Sequence, residues 1–581
     1  MCVSRMGLGF VGATSAPTTA AAVAVTALAT AAPAPAYVRR VSVPAVPAPA
    51  RPHAAAAGRL CAVTRDSRRR AALGPLAAEG SEGSSSENAV KVSNLALEEE
   101  RALRGGGLTG GAEGVAGLPD FDVPKNEREL WWESAVRAAQ KNADDLATDS
   151  VLVPYVHSAR GKMIDSMFPG RKEEMWRYTD MRALLAMRPE TNSAGPSLSA
   201  SDAERFQDAD VNLVVVDGRF VSNLSTGLDL LAKGVYFGSI SDAPKAIKER
   251  AVELLLQRKQ SSKVSAFEWL QAVSSPDALV LHVPNRVQVP NAVHILCAAS
   301  SQSSAASMCS PSIVVCLEQD ASLVVTESHL LLDGDDSNDS SSVFVNSLCV
   351  AALASNASLT HALVSELPEG KGAHLGVCAA KLAQGAQYVC TTINAGGSLS
   401  RWDVTVDLDE KEAYGEVHGL CFAEQTAVMD LHSEINHNVP HCKSEQLQKN
   451  VALDKAKSVF RGMIYVAPHA SQTDSEQMCR SLLLSSNARV DIMPSLIIYN
   501  EDVKATHGAT VSDLSDEELF YLQSRGLSPE DSRLLLLKGF TGEIVQRIPL
   551  KGVQERLERK FAGVVDRIKS RKRGEATFSS I

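Results

Sequence analysis

The chain has 581 residues, 45% of them hydrophobic and 22% charged, with a net charge of −10. That length allows two to four domains, or one elongated architecture with appendages. The negative balance argues against nucleic acid, whose phosphates reward a basic surface. No stretch reaches the eighteen or so apolar residues of a membrane span, apart from an Ala-rich run near the N-terminus, so a soluble protein is expected.

Residues 1–65 contain no Asp or Glu, and the first Lys is Lys91, while Arg recurs at Arg5, Arg39, Arg40, Arg51, Arg59 and Arg65. That acid-free composition, rich in Ala, Ser and Arg, is the signature of a transit peptide. The apolar run from Thr19 to Ala32 also resembles the core of a secretory signal, so a one-step transit peptide and a two-part leader both remain open. We assign 1–78 to targeting and the Ser-, Gly- and Glu-rich stretch 79–118 to a flexible linker. Residues 119–205 are predicted to be an N-terminal helical domain, with Leu130, Trp131, Ala135 and Ala138 at helical spacing on one face. Trp176 and Tyr178 read as packing residues.

Residues 206–512 are dominated by short alternating strands, such as Val211 to Val216, Leu279 to Val283 and Ser312 to Leu317. A theme recurs in which a polar residue or Gly precedes Ala and a strand, at Asp320, Asn356, Gly385, Glu412 and Asn487. The first four lie roughly 30 residues apart, the spacing of stacked repeats. Asp-Gly hairpin signals are scarce, only Asp217-Gly218 and Asp333-Gly334, which disfavours a β-sandwich. The prediction is mainly β: a parallel β-helix (solenoid) core flanked by N-terminal and C-terminal helical domains, whose helices cap the bare end coils. Residues 513–570 are predicted to be helical. Ser515 and Glu518 form a capping box ahead of a helix stopping near Gly526. Ser528 caps a second helix, with Pro529 at its first position, carrying Leu534 to Leu537 and ending at Gly539. A third amphipathic helix covers about Val553 to Lys569, leaving 571–581 as a tail. Such helices either dock a partner or only cap the core.

Eleven cysteines are scattered with no C-x-x-C pair and no zinc-ribbon or ferredoxin spacing, so most are expected to be small buried hydrophobes and no permanent metal is expected. Nucleotide-loop, nucleophile-elbow and HExxH motifs do not occur, so any ATP hydrolysis belongs to a partner. Asp430, His432, His437, His441 and Cys442 are metal-competent types, but alternation reads them as a solvated solenoid face. Cys479 could lie near an interface. A carbohydrate-active β-helix enzyme is the alternative function. It would use paired carboxylates such as Asp407/Asp409 or Glu410/Glu412, although an edge-protecting solvated strand also explains them.

The segments Phe460 to Asp474 (FRGMIYVAPHASQTD), Ser481 to Ser485 (SLLLS), Asp502 to Thr510 (DVKATHGAT) and Leu519 to Gly526 (LFYLQSRG) resemble the SufB/SufD family of SUF iron–sulfur cluster assembly. So do Gly397 to Arg401 (GSLSR), Glu434 to His437 (EINH) and Glu174 to Asp180 (EMWRYTD), extending the likeness over most of 126–570. The Trp-Arg-Tyr-Thr segment and the Thr-His-Gly-Ala-Thr motif, found where SufB-like chains carry His-Glu-Ala, place the likeness with the SufD branch. The resemblance implies a right-handed parallel β-helix paired side by side with SufB, with SufC, an ABC-type ATPase, docked on the C-terminal helices. It implies a scaffold that is not an enzyme, and the leader composition of residues 1–65 adds the plastid (chloroplast) stroma as its expected location. Phe520, Leu522, Leu534, Leu535 and Leu537 are the candidate partner contacts, and no cofactor is permanently bound. His507 maps onto the family's interface ligand, a candidate for iron or a transient iron–sulfur cluster at the SufB–SufD interface. A neutral imidazole beside a partner's thiolates would make a labile mixed site. Some SufD chains carry Cys two residues before this His; here that position is Ala505.

Overall fold

The corner between two strands repeats one conformation along the chain. Asp320, Asn356, Glu412, Gln425, His441, Asp454 and Gln472 all have positive φ between 54° and 65°, as has Gly385 at 66°. Left-handed backbone costs an L-residue roughly 1 kcal/mol, and here each such residue reverses the chain ahead of a small or apolar residue turned inward. Ala321, Ala357, Ala386 and Ala413 are all buried. The corners stack through main-chain bonds from Asp320 N to Ser355 O (3.0 Å), Asn356 N to Gln384 O (2.8 Å) and Gly385 N to Lys411 O (3.0 Å). Asn356 Nδ2 also donates to Asp320 Oδ1 at 3.1 Å. The recurring polar-Ala theme is therefore this corner, and Asn487 is the one of its five instances without positive φ.

Between corners the strands alternate between two sheets, giving a parallel β-solenoid of about seven turns in a mainly β chain flanked by helices. The computed structural model describes residues 125–144, 146, 150–191, 203–261, 263–300, 306–332 and 342–578. The predicted targeting segment, the whole of the predicted linker, and Cys2 and Cys61 lie outside the described residues. One sheet has 11 strands and runs outward to Arg489–Ile498; the other has 10 and runs outward to Val503–Ser512. Register is maintained without slip over long stretches: Cys349 pairs with Cys378, Cys378 with Val404, and Val404 with Ser433.

Three apolar layers follow from this geometry. Inward-facing residues of both sheets, from Val211 to Cys479, fill the lumen. The outer face of the 11-stranded sheet is covered by helices α1 (Lys125–Asp144), α2 (Val153–Asp165) and α3 (Arg182–Leu185), joined by α4 (Lys245–Lys259) and α5 (Ala266–Ser274). Trp131, Trp132, Ala135 and Ala139 form the buried stripe of α1, while Leu130 is exposed, one position off the predicted face. Helices α4 and α5 interrupt the strands where none was predicted, and α5 opens on a complete capping box between Ser265 and Glu268. Burial of Phe267, Leu270 and Val273 against the sheet secures it.

The outer face of the other sheet is covered by the C-terminal helices. These are α6 (Asp516–Ser524), α7 (Pro529–Val545) and α8 (Lys551–Phe578). Ser515 and Ser528 are N-caps, accepting from Glu518 N at 3.4 Å and Asp531 N at 3.0 Å, although at Ser515 only this half of the predicted capping box is formed. Helix α7 does not stop at Gly539 but runs on to Val545, because Thr541, Ile544 and Val545 bury against the sheet and outweigh two glycines of low propensity. Phe561 stacks on Phe422 with ring centroids 4.3 Å apart. These helices therefore clamp the flank of the solenoid rather than close its last coil, which corrects the expectation that helices cap both ends.

Candidate functional site

The two ends of the solenoid are built differently. At the N-terminal end the sheets finish in antiparallel strands, Tyr236–Ser239 on Leu279–Val283 and Arg219–Phe220 on Val211–Val216. At the other end Arg489–Ile498 and Val503–Ser512, each 10 residues long, have a strand neighbour on one side only among the described residues. Two consecutive unpaired edges with Ile497, Ile498, Tyr499 and Val511 exposed form a template for another strand.

His507 lies in the last of these strands and is exposed. Its register partner is Gln477, which pairs in turn with Gln446, then Val417, Cys390 and His361. All five are buried and face the lumen. Side chains at paired positions of parallel strands share a face, so His507 is the outermost member of an inward-facing column that emerges at the open end. Directly beneath it Gln477 Nε2 donates to Gln446 Oε1 at 2.6 Å, and Gln446 Nε2 donates to Ser433 Oγ of the opposite sheet. Glycine is required at Gly462, where a Cβ would come within 2.3 Å of Gln477 Nε2. Ala505 sits one inward position earlier in the same strand. Cys479 is buried one strand in from the edge, its thiol pushed up to about 12 by burial, and it accepts from Asn450 Nδ2 at 3.4 Å. It lines the lumen rather than the edge.

The candidate partner residues of the C-terminal helices separate into two groups. Phe520 (75% exposed) and Leu535 (51%) face outward, as do Tyr521 and Leu527. Leu522 and Leu534 are half-buried, and Leu537 is 2% exposed. Leu537 packs with Ile544, Val545 and Leu557 against Ile393, Leu420 and Val451, so it holds α7 to the sheet and cannot meet a partner in this conformation.

The Asp430 group is not assembled as one cluster, and it is not a solvated face. Asp430 and His432 do share one side of their strand, but the segment Glu174 to Asp180 covers them. Thr179 Oγ1 donates to Asp430 Oδ2 at 2.6 Å, and His432 Nε2 lies 3.2 Å from Asp430 Oδ1. Arg401, 1% exposed, is the hub. It donates to both oxygens of Asp403, to Met175 O at 2.7 Å and to Thr179 Oγ1 at 3.0 Å. Its guanidinium lies 3.9 Å from the Trp176 ring centroid. Burial raises the Asp430 pKa, but His432, Arg401 and Thr179 outweigh it and hold the carboxyl below the usual range. His437 is buried elsewhere, 2.9 Å from Ser444 Oγ, while His441 occupies a corner and Cys442 the lumen. The acidic pairs weighed for glycoside chemistry serve the stacking instead. Asp407 accepts from Asn436 and Asp409 from Asn438, both at 2.8 Å, and Glu410 accepts from Gln384 N at 2.9 Å.

All nine described cysteines are buried and free, as expected of small hydrophobes. The lumen also holds an ionisable group that spacing alone did not reveal. Cys349, His361 and Cys378 present ligand-type atoms within 4.8 Å of one another, and so do Cys297, Glu327 and His329. Tyr388 Oη stands 3.1 Å from His361 Nδ1 and 3.2 Å from Cys378 Sγ. Glu327 links the two sets, with Oε1 2.6 Å from His329 Nε2 and Oε2 3.5 Å from His361 Nε2. A signal for this group existed: His361 follows its corner Asn356 by five positions, as Cys390 follows Gly385 and Val417 follows Glu412, so aligning the chain on its corners superposes the column.

Residues 299–540 match the SUF system FeS cluster assembly SufBD core domain, and residues 140–295 match the SufBD protein N-terminal region. An iron–sulfur cluster assembly SufBD family protein of Synechocystis sp. is 30% identical over 415 residues, 70% of this chain and 90% of the relative. The chloroplastic protein ABCI7 of Arabidopsis thaliana is 28% identical over 70% of this chain and 85% of its own length. The iron–sulfur cluster assembly protein SufD of Escherichia coli is 28% identical over 70% and 91% respectively. With its solenoid, its flanking helices and this extended similarity, the chain belongs to the SufBD family of iron–sulfur cluster assembly proteins, with SufD chains among its relatives.

Proposed function

We propose that this chain is the SufD-type scaffold subunit of a SufB–SufC–SufD complex in the plastid stroma, where it assembles iron–sulfur clusters without catalysing a reaction of its own. The observation that carries the reading is the open end of the solenoid. Two adjacent strand edges, lined by Ile497, Ile498, Tyr499 and Val511, suit pairing with the equivalent end of a sister solenoid, SufB. Backbone pairing at both edges removes the unpaired ladder groups from water and sets the register of the two chains. His507 then faces the joint from this side, and a nascent cluster, which is cargo rather than a resident cofactor, takes the imidazole as one labile ligand beside thiolates of the partner. The exposed apolar residues Phe520 and Leu535 are the contacts through which the C-terminal helices dock the SufC ATPase, with Leu522 and Leu534 at the margin. Chloroplast targeting is supported by the leader composition and by the chloroplastic relative.

The test is co-expression of residues 119–581 with SufB and SufC, wild type against His507→Ala, followed by anaerobic iron and sulfide counting. The expected result is an intact complex in both cases and loss of cluster in the variant. Failure of the wild type to retain SufB overturns the scaffold reading, and full cluster in the variant removes His507 from the ligand set.

A further inference from the structure

The geometry points to a second metal site, inside the solenoid: we propose that Cys349, Cys378 and His361 bind one thiophilic divalent transition-metal ion of the Zn2+ type, with Glu327 positioning the imidazole. The three side chains come from three strands, Val343–Leu353, Gly372–Leu382 and Ser358–Ser365. The two cysteines are register partners on adjacent parallel strands of one sheet, and His361 faces them across the lumen from the other. Their donor atoms already lie within 4.8 Å of one another, and all three residues are buried to 1% exposure or less. A tetrahedral ion with metal–sulfur bonds of about 2.3 Å and metal–nitrogen bonds of about 2.0 Å needs donors somewhat under 4 Å apart, a contraction that side-chain rotation supplies.

The surroundings are those of a metal ligand set rather than of three packing residues. The His361 Nδ1 edge faces Cys378, where the Tyr388 hydroxyl lies within 3.2 Å of both. The Nε2 edge faces Glu327 Oε2 at 3.5 Å. A carboxylate behind the non-ligating nitrogen fixes the tautomer and raises the basicity of the other, the arrangement that supports most metal-bound histidines. Neither His361 Nε2 nor Glu327 Oε2 has a hydrogen-bond partner at ordinary distance, although both are buried. Drawing the imidazole toward an ion and closing that gap would satisfy both. Tyr388 then donates to the Cys378 thiolate. Charge also balances at the ion: two thiolates cancel a divalent charge, and the Glu327 carboxylate lies 2.6 Å from His329 Nε2. Burial of a net-neutral assembly avoids the several kcal/mol that an unpaired buried ion costs. Two sulfurs and one imidazole select borderline-soft ions over Mg2+ or Ca2+. With no donor atom exposed, the ion enters as the strands close around it, so metal binding is coupled to folding. The site is distinct from the open end, where His507 is exposed.

The test is elemental analysis of the full chain produced in Zn2+-supplemented medium and purified in EDTA, beside protein produced in Co2+ medium and read by absorption. About one equivalent of EDTA-resistant metal per folded chain is expected, with thiolate-to-cobalt charge transfer in the Co2+ form. Cys349→Ser/Cys378→Ser should lose the metal, and Glu327→Gln should weaken its retention about 10- to 100-fold. Cys421→Ser, a buried cysteine outside the group, and His507→Ala should keep it. Iron in place of zinc in the purified protein supports the site and changes the resident ion. Folded wild-type protein with under about a tenth of an equivalent overturns the proposal, since a buried structural ion is not removed without unfolding. So does a Cys349–Cys378 disulfide found by mass spectrometry, or metal content unchanged in the double variant. The wild-type measurement decides even where a variant does not fold.

Discussion

Arg401→Met removes the hub that ties Glu174 to Asp180 to the solenoid, and its cost can be worked from the contacts. The guanidinium binds Asp403 through two nitrogens, Met175 O and Thr179 Oγ1, and stacks on Trp176. It also lies 3.6 Å from the fully buried Asp430. Hydrogen bonds to a charged group contribute about 1.5–3 kcal/mol each, and a desolvated cation–π contact about 2 kcal/mol. These do not add, because Met keeps part of the packing. The dominant loss is the charge left behind. Asp430 retains His432 and Thr179, and Lys457 acts on it at longer range, but its nearest permanent cation is gone, and breaking a buried pair costs about 3–5 kcal/mol. We therefore expect destabilisation of about 3–5 kcal/mol in urea unfolding, with the chain before Asp180 becoming a protease target first. The sign with pH follows from Asp430. Its folded pKa lies below the unfolded value, so its contribution is present above about pH 4 and lost as pH falls through the folded pKa. Arg401→Met weakens that depression, so the deficit should be largest at neutral pH and shrink in acid. The double variant Arg401→Met/Asp430→Asn should recover much of the loss. A single variant within about 1 kcal/mol of wild type, or a double variant worse than the sum of the singles, would refute the assignment of Arg401 as the charge partner of Asp430.

Gly376→Ala should cost about 1–3 kcal/mol in the same unfolding assay, because a Cβ there meets the Trp402 ring at 2.5 Å; Gly376→Ala/Trp402→Leu should restore much of it. Burial holds the pKa of His294 and His437 near 4, so the unfolded chain binds protons first as the medium acidifies. Stability should therefore fall between about pH 6.5 and pH 4, with a slope of about 1.4 kcal/mol per pH unit for each histidine, and His437→Asn should flatten the curve by one such increment. Phe520→Asp should leave the unfolding midpoint within about 0.5 kcal/mol of wild type while abolishing SufC retention, whereas Leu537→Ala should cost about 2–5 kcal/mol. Equal destabilisation by the two would mean that Phe520 belongs to the core.

What the sequence made legible, and what it hid, both follow from the parallel coil. Local signals survived: the corners at Asp320, Asn356, Gly385 and Glu412, the N-caps Ser515 and Ser528, and the alternation that put Asp430 and His432 on one face were all readable, because each depends on residues within a few positions. Failures arose where a distant segment decided the environment. The face of Asp430 and His432 is dry because Thr179 and Trp176 lie on it, more than 220 residues away in the chain. Helix α7 passes Gly539 because the sheet, not local propensity, sets its end, and Leu537 turned inward for the same reason. Cysteine spacing failed most instructively. Metal motifs such as C-x-x-C describe ligands brought together by one tight turn, whereas a solenoid brings together residues one coil apart, as it does Cys349 and Cys378. In such a fold the informative interval is measured from the corner, and by that measure His361, Cys390, Val417, Gln446, Gln477 and His507 fall in one column. That column runs from the buried thiol–imidazole group to the open edge. Its two histidines have the same side chain and the same register, and their environments separate them: one is enclosed with two thiols and a carboxylate, the other is exposed on the last strand of the solenoid.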